Sequence, residues 1–196
     1  MSVQERRILT AVQRLLAEKP HAVVCIEGRC ASGKSTLAAR LRDLYGFEII
    51  RADDFFLQPY QRTPERYAEP GGTIDYERFK SEVSDRLAGG LDAEYRPFEC
   101  RRMGFGRAVR APAGRPRVAE GSYSMHPYFG KYYDLAIFMT VDPAEQLRRI
   151  EARGGSAEDF KSRWIPLEEK YLQSSRPWLR ADLRADTTSD AFRRNR

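Results

Sequence analysis

Residues 28 to 35 read Gly-Arg-Cys-Ala-Ser-Gly-Lys-Ser, a complete G-x-x-x-x-G-K-[ST] string. It constrains the fold more than any other feature because it works in one setting only, between a buried strand and the first turn of a helix. Both flanks are present. Ala22 to Ile26 is a short apolar run rich in β-branched residues, as a parallel core strand requires, and Ser35 to Arg42 continues with strong helix formers. Gly28 and Gly33 permit backbone angles closed to other residues, so successive amide N–H groups turn inward at the positive end of the helix. Arg29, Cys30, Ala31 and Ser32 lie between the glycines, and Thr36 follows. Together they form a cradle for phosphate oxygens. Lys34 then reaches the β- and γ-phosphates of a nucleoside triphosphate, and the Ser35 hydroxyl ligates the Mg²⁺ that bridges them. ATP and Mg²⁺ are the expected cofactors.

The rest of the chain alternates in the way such a loop demands. Val3 to Ala17 has helical apolar spacing and meets Pro20, and Phe47 to Ile50 reads as a second strand. Residues 55 to 74 hold Pro59, Pro64, Pro70 and the Gly71-Gly72 pair, a long irregular segment of the kind that forms a substrate loop. Ile74 to Leu87 reads as a helix stopped by Gly89-Gly90. Residues 94 to 110 suggest a hairpin outside the main sheet, turning near Gly104 to Gly106. Arg117 to Ala119 and Leu135 to Met139 read as further core strands, Pro143 to Ala152 as a helix, and Ala181 to Asp186 as a last short strand. Ser156 opens another helix reaching about Gln173, with a kink expected at Pro166. The pattern predicts one α/β domain over residues 1 to 196, a doubly wound, mostly parallel sheet with its site at the strand C-termini.

Composition narrows the function classes. A 196-residue chain with 41% hydrophobic residues can bury a sizeable core, and no run approaches the roughly 20 apolar residues of a membrane span. Cys25, Cys30 and Cys100 show no paired or metal-type spacing, which suits a reducing cytoplasm. The net charge of +6 raises nucleic acid as a partner, and Arg101, Arg102, Arg107 and Arg110 do cluster. The other arginines are dispersed, however, and no zinc-finger spacing, RNP motif or basic tail accompanies them, which speaks against it. Oligomeric state, including a homo-oligomer, stays open.

A phosphate loop says only that a nucleotide binds; the chemistry lies in other residues. Arg51-Ala-Asp-Asp-Phe-Phe56 directly follows the second strand and sets carboxylates at the sheet edge that faces the loop. Such a carboxylate can take the proton of an acceptor hydroxyl as the γ-phosphoryl moves across. His126 follows the Glu120 strand and is a candidate for the acceptor pocket, whereas His21 reads as structural.

The loop, the Asp53-Asp54-Phe55-Phe56 segment, Glu120-Gly121, and Asp142 followed by Leu147 and an arginine-rich stretch resemble the uridine kinase group of P-loop kinases, relatives of phosphoribulokinase and bacterial pantothenate kinase. The resemblance runs from about Ala22 to Arg153. It implies Asp53 as catalytic base beside Lys34, Glu120 as a carboxylate of the Mg²⁺ shell beside Ser35, and Arg149 and Arg153 as arginines of a lid over about residues 149 to 160. With His126 from its position after the Glu120 strand, the expected substrate wall includes Asp53, Phe55, Glu69, Tyr95, Phe98 and Cys100. Here the chain departs from the pattern. Where uridine kinases have Tyr-x-Phe-x-x-His, this sequence has Tyr95-Arg-Pro-Phe-Glu-Cys100, and the family's Asp-His-Pro corresponds to Ala68-Glu69-Pro70. The expected activity is ATP-dependent phosphorylation of a small-molecule hydroxyl, a nucleoside first among acceptors. A regulatory NTPase without an acceptor and a nucleic-acid-binding P-loop protein are the alternatives.

Overall fold

The computed structural model describes residues 2 to 189. Helix α1 (Val3–Glu18), capped by the Ser2 hydroxyl, leads into β1 (Val23–Gly28), α2 (Lys34–Tyr45) and β2 (Glu48–Arg51). The segment after β2 winds through short turns and α3 (Pro64–Ala68), then a nearly continuous helix of α4 (Tyr76–Phe79), a π-helical stretch (Lys80–Ser84) and α5 (Asp85–Ala88). Four short strands follow, β3 (Ala93–Tyr95), β4 (Phe98–Glu99), β5 (Gly104–Phe105) and β6 (Val109–Ala111). The chain then returns through β7 (Arg117–Glu120), β8 (Leu135–Thr140) and α6 (Pro143–Ala152). It ends with α7 (Ala157–Asp159), a second π-helical stretch (Phe160–Trp164), α8 (Ile165–Ser175) and β9 (Leu183–Asp186).

Five strands form one sheet in the order β2-β7-β1-β8-β9, and every pairing is parallel. The three central strands β7, β1 and β8 bury both faces, and the period of two explains how. In β1, Val24 and Ile26 pack with Ile8, Val12 and Leu37 of α1 and α2, while Val23 and Cys25 face Phe55, Phe79 and Phe129 on the other side. In β8 the same alternation sends Ile137 and Met139 one way and Ala136 and Phe138 the other. The order puts β1 in the centre, so the loop leaving it emerges mid-sheet, with β7 and then β2 on one side of it. No helix among the described residues is long and apolar enough to cross a membrane.

Two details differ from the sequence expectation. The excursion is a nested hairpin, β3 with β6 and β4 with β5, both antiparallel, but it reverses before Gly104, which belongs to β5. Met103 supplies the left-handed residue of the turn (φ 50°), and Gly106 serves close approach instead, since a Cβ there would lie 2.4 Å from Glu99 Oε1. Pro166 lies inside a continuous helical run from Ala157 to Ser175, and the irregularity there takes the form of a π-helical stretch, Phe160–Trp164, ending just before it, where the missing N–H interrupts the ladder. Ser156, by contrast, caps α7 as expected, accepting from the Asp159 amide at 3.2 Å.

Gly28 marks the join between sheet and loop. Its φ of +141° is closed to L side chains, and an added Cβ would stand 1.9 Å from the Met139 carbonyl oxygen of β8. Gly28→Ala is therefore expected to lower the unfolding free energy by at least about 2 kcal/mol, read by urea denaturation. An unchanged midpoint would show that the strands can part there at no cost.

Candidate active site

The loop from Gly28 to Ser35 closes on α2 with Gly33 as its N-cap in the left-handed region (φ 94°). Leu37 is the first residue of α2 whose amide reaches a carbonyl within the turn, Gly33 O at 3.0 Å. The amides of Lys34, Ser35 and Thr36 are thus left free by helix geometry and point out of the N-terminus. Lys34 is buried, and its ammonium donates to Gly28 O at 2.7 Å, Arg29 O at 2.8 Å and Ser122 Oγ at 3.4 Å. Ser32 Oγ is buried without a partner. Free amides, a fixed ammonium and an orphaned hydroxyl are the donor set that a polyphosphate needs.

The cation side of the site is equally legible. Glu120, at the end of β7, pairs in register with Ile26 of β1 and Arg51 of β2, and its Oε2 accepts from Ser35 Oγ at 3.2 Å. Burial raises the Glu120 carboxyl above its ordinary range, Lys34 opposes this, and the charge of Asp53 adds to it. Asp53 is exposed in the turn Ala52–Phe55 that follows β2, two residues past the partner of Glu120. Hydroxyl and carboxylate oxygens suit Mg²⁺, a hard cation that keeps several waters and phosphate oxygens. Among the described residues no group of three or more His, Cys, Asp and Glu could hold a metal ion on its own. Ser35 and Glu120 would help to hold the Mg²⁺ of a bound nucleotide.

The remaining expected residues divide. Asp54 is raised by burial and accepts from the Tyr95 hydroxyl at 3.0 Å; that hydroxyl in turn accepts from the Arg51 amide at 3.4 Å. Tyr95 therefore acts on the site through Asp54. Glu69 accepts from the Tyr76 hydroxyl at 2.8 Å, and the Tyr76 ring stacks on His126 at 5.0 Å. His126 meets the Pro70 carbonyl through Nε2 at 3.3 Å and lies parallel to Tyr171 at 5.8 Å, so it clamps the 55–74 segment; burial lowers its basicity. Cys100 is exposed at the hairpin turn, 3.6 Å from Arg62 Nη2.

Three expected contacts are corrected. Phe55 and Phe98 are core residues, 0% and 4% exposed, Phe55 against Phe79 and Tyr95 and Phe98 against Phe105. Neither presents a face to a substrate. Arg149 is no mobile lid arginine: its guanidinium is held by Glu145, by the Ala31 carbonyl at 3.2 Å, and by Thr187, so it braces the phosphate loop against the end of β9. Arg153 stays exposed at the end of α6, its guanidinium 5.8 Å from the Phe160 ring centroid and its charge felt by the Cys30 thiol. Cys30 receives Gln146 Nε2 at 3.0 Å, and burial pushes its thiol up to about 12.

Sequence reasoning missed a set of acids behind the loop. Glu27, in β1, is fully buried and accepts from the amides of Gly28, Tyr123 and Met125 and from the Tyr171 hydroxyl. Glu168, on α8, accepts from the Cys30 amide at 2.9 and 3.0 Å and from Ser122 Oγ at 2.5 Å, while Glu169 takes Arg29 in a two-pronged pair at 2.6 and 2.9 Å. A charged residue inside the apolar run before the loop was the available signal for Glu27. The Glu168-Glu169 pair carried none beyond its place on a helix. A cavity of about 490 Å³ beside the loop is lined by Arg29, Thr140, Asp142, Gln146, Asp186 and Thr188.

Fold and loop together define an α/β architecture of the P-loop NTPase type. No protein-family model matches the sequence, and no curated protein matches it. Among solved structures the chain is similar to a possible uridine kinase from Bacillus stearothermophilus, with a TM-score of 0.68 at 19% identity over 92% of this chain and 98% of that one. The likeness bears out the uridine kinase-like resemblance at the level of the fold. Shikimate kinase from Bacteroides thetaiotaomicron, at a TM-score of 0.42 and 13% identity over 84% of this chain and 86% of that one, lies too far away to add to it.

Two measurements check the acids. Burial raises Glu27 from 4.5 to about 7, so the folded chain holds a proton that the unfolded chain releases, and stability falls as pH rises across that window and levels off above it. Relative to Glu27→Gln, the wild type is expected to lose on the order of 3 kcal/mol between pH 4.5 and 7, read by urea denaturation; parallel profiles would place the pH dependence elsewhere. Glu168→Gln removes an anion already seated on the loop amide, so calorimetry is expected to show pyrophosphate binding tightened about tenfold. Unchanged binding would mean that the carboxylate and the ligand do not compete.

Proposed function

We propose that the protein is a kinase that moves the γ-phosphoryl group of ATP to a hydroxyl of a small molecule, with a nucleoside as the acceptor class. What supports this reading is an exposed Asp53 two residues past Arg51, the strand partner of Glu120, with its charge felt by that carboxyl. A sensor that only binds nucleotide needs the loop and the cation alone, whereas an exposed carboxylate at that edge suits a group that takes up a proton. The acceptor oxygen would approach Asp53, which orients it and takes its proton as the bond to phosphorus forms. Lys34 and the first amides of α2 spread the charge of the transferring group, and bound Mg²⁺ would neutralise the β- and γ-oxygens. Arg153 would close over the triphosphate from the end of α6. The cavity lined by Thr140, Gln146 and Thr188 is of the right size for the nucleoside part of ATP.

On the acceptor side the supporting features are the acids and aromatic rings that converge from the long loop and the loop after β7. Glu69, with Tyr76 and His126, offers a carboxylate for sugar hydroxyls and ring faces for a base. Cys100 lacks the strong polar hydrogen at the position where the resemblance expects histidine, which shifts preference away from uridine itself. In this reading residues 1 to 196 are one kinase domain, with about 55–74 as substrate loop, about 94–110 as hairpin and the lid, expected over about 149–160, confined to the residues beyond the fixed Arg149.

ADP formation measured with nucleosides, pantothenate-like alcohols and sugars is expected to depend on one acceptor class, nucleosides first. Phosphate release at equal rate without any acceptor would sink the kinase reading in favour of an NTPase. Asp53→Asn is expected to lower kcat at least about a hundredfold with ATP binding retained, and Lys34→Ala to abolish transfer. An Asp53→Asn enzyme at near wild-type rate would remove Asp53 as the base.

A further inference from the structure

At the opposite edge of the sheet, where β1, β7 and β8 begin, a cavity of about 400 Å³ is lined by Lys19, His21, Arg117, Lys131 and Asp134 among others. Arg117 opens β7 and is 3% exposed. Its Nη1 donates to the Leu91 carbonyl at 2.8 Å, its Nε is buried with no partner, and among the described residues no carboxylate stands in ion-pair contact with it. Buried guanidinium groups are ordinarily matched by an acid, because an uncompensated charge away from water is costly. The two nearest acids are committed elsewhere. Asp92 pairs with Arg110 at 2.5 Å and caps the Ala113 amide at 2.8 Å, while Asp134 pairs with Lys19 at 2.7 Å and takes the Val23 amide at 2.8 Å. Burial accordingly pulls the Arg117 guanidinium below its ordinary value, with those carboxylates opposing only from a distance.

The cavity wall thus carries three permanent cations against one carboxylate that is already engaged, plus a histidine ring able to donate. We infer that this cavity is a binding site for a small, multiply charged anion bearing phosphate or carboxylate groups, with Arg117 as its buried anchor and Lys131 at its rim. A guanidinium in the wall with donor capacity left over and an exposed ammonium beside it are groups that phosphates and carboxylates pair with. The site is separate from the phosphate loop, which leaves the far end of β1 at Gly28, and it stands whether or not the kinase reading does. Its volume suits a ligand of metabolite size.

Calorimetric titration of the Lys34→Ala protein with pyrophosphate and with citrate reduces the loop's share of the binding, and Lys131→Glu made in the same background, far from the loop amides, reads the share of this cavity. Saturable binding of either is expected, with the phosphate and carboxylate arms telling which group is preferred. Lys131→Glu, an exposed substitution, is expected to weaken it about tenfold or more, and Arg117→Met to remove it. Lys131→Glu keeps the test decisive should Arg117→Met fail to fold. No binding of either anion, or binding indifferent to Lys131→Glu, would overturn the assignment.

Discussion

The Glu27 carboxylate is the interaction on which the site depends. It takes the amides of Gly28, Tyr123 and Met125 at 2.7, 3.1 and 2.9 Å and the Tyr171 hydroxyl at 2.9 Å, and so ties together the exit of β1, the turn after β7 and helix α8. Tyr123 holds a left-handed backbone (φ 75°), which a bulky residue adopts only when its surroundings insist. Here its amide is claimed by Glu27 and its ring packs edge-on to Tyr171 at 4.8 Å. The neighbouring Ser122 hydroxyl lies 3.1 Å from the Gly28 carbonyl and donates to Glu168, so the network continues to the floor of the phosphate loop. A buried polar network with its members paired is rigid, and that rigidity is what a phosphate cradle requires.

The same network sets the charge balance. Burial raises Glu27, Glu120 and Glu168 together, and in each case Lys34 is a cation that pulls the other way. One ammonium therefore serves three carboxylates before any ligand arrives. In the proposed reading a triphosphate would add negative charge here and would arrive with its own divalent ion, which the Ser35–Glu120 pair would help to hold. Glu168 on the Cys30 amide is the protein's own anion at the loop, and with the Arg29–Glu169 pair it holds α8 against the loop's first residues.

What the sequence revealed follows from which interactions are local. The loop, its strand and its helix were readable because glycine angles, apolar runs and helix propensity act over a few residues, and β1, α2, β2 and β7 fall within a residue or two of expectation. The Asp53, Ser35 and Glu120 group was readable because strand ends at one sheet edge must meet. Glu168 was not, since its partner Cys30 is 138 residues away and a helix position says nothing about what faces it. Phe55 and Arg149 were misassigned for a related reason. An aromatic next to a catalytic acid, or an arginine on a lid helix, has the same sequence signature whether it turns to the ligand or to the core.

Phe55 gains a different part in the structure. Arg78 lies over the Phe55 ring at 4.7 Å and over Phe105 of β5 at 4.8 Å, and its Nη2 donates to the Arg96 carbonyl at 2.8 Å. A single guanidinium thus bridges the segment that carries Asp53 and Asp54 to the hairpin that carries Cys100. On the other flank Tyr95, also from the hairpin, touches the Phe55 ring and donates to Asp54. The acids at the sheet edge and the hairpin therefore pack on the same ring, and Tyr95 links the hairpin to Asp54. In the kinase proposed above, a shift of the hairpin to admit an acceptor would reach Asp54 through Tyr95, so this core aromatic would couple the two without meeting the substrate itself.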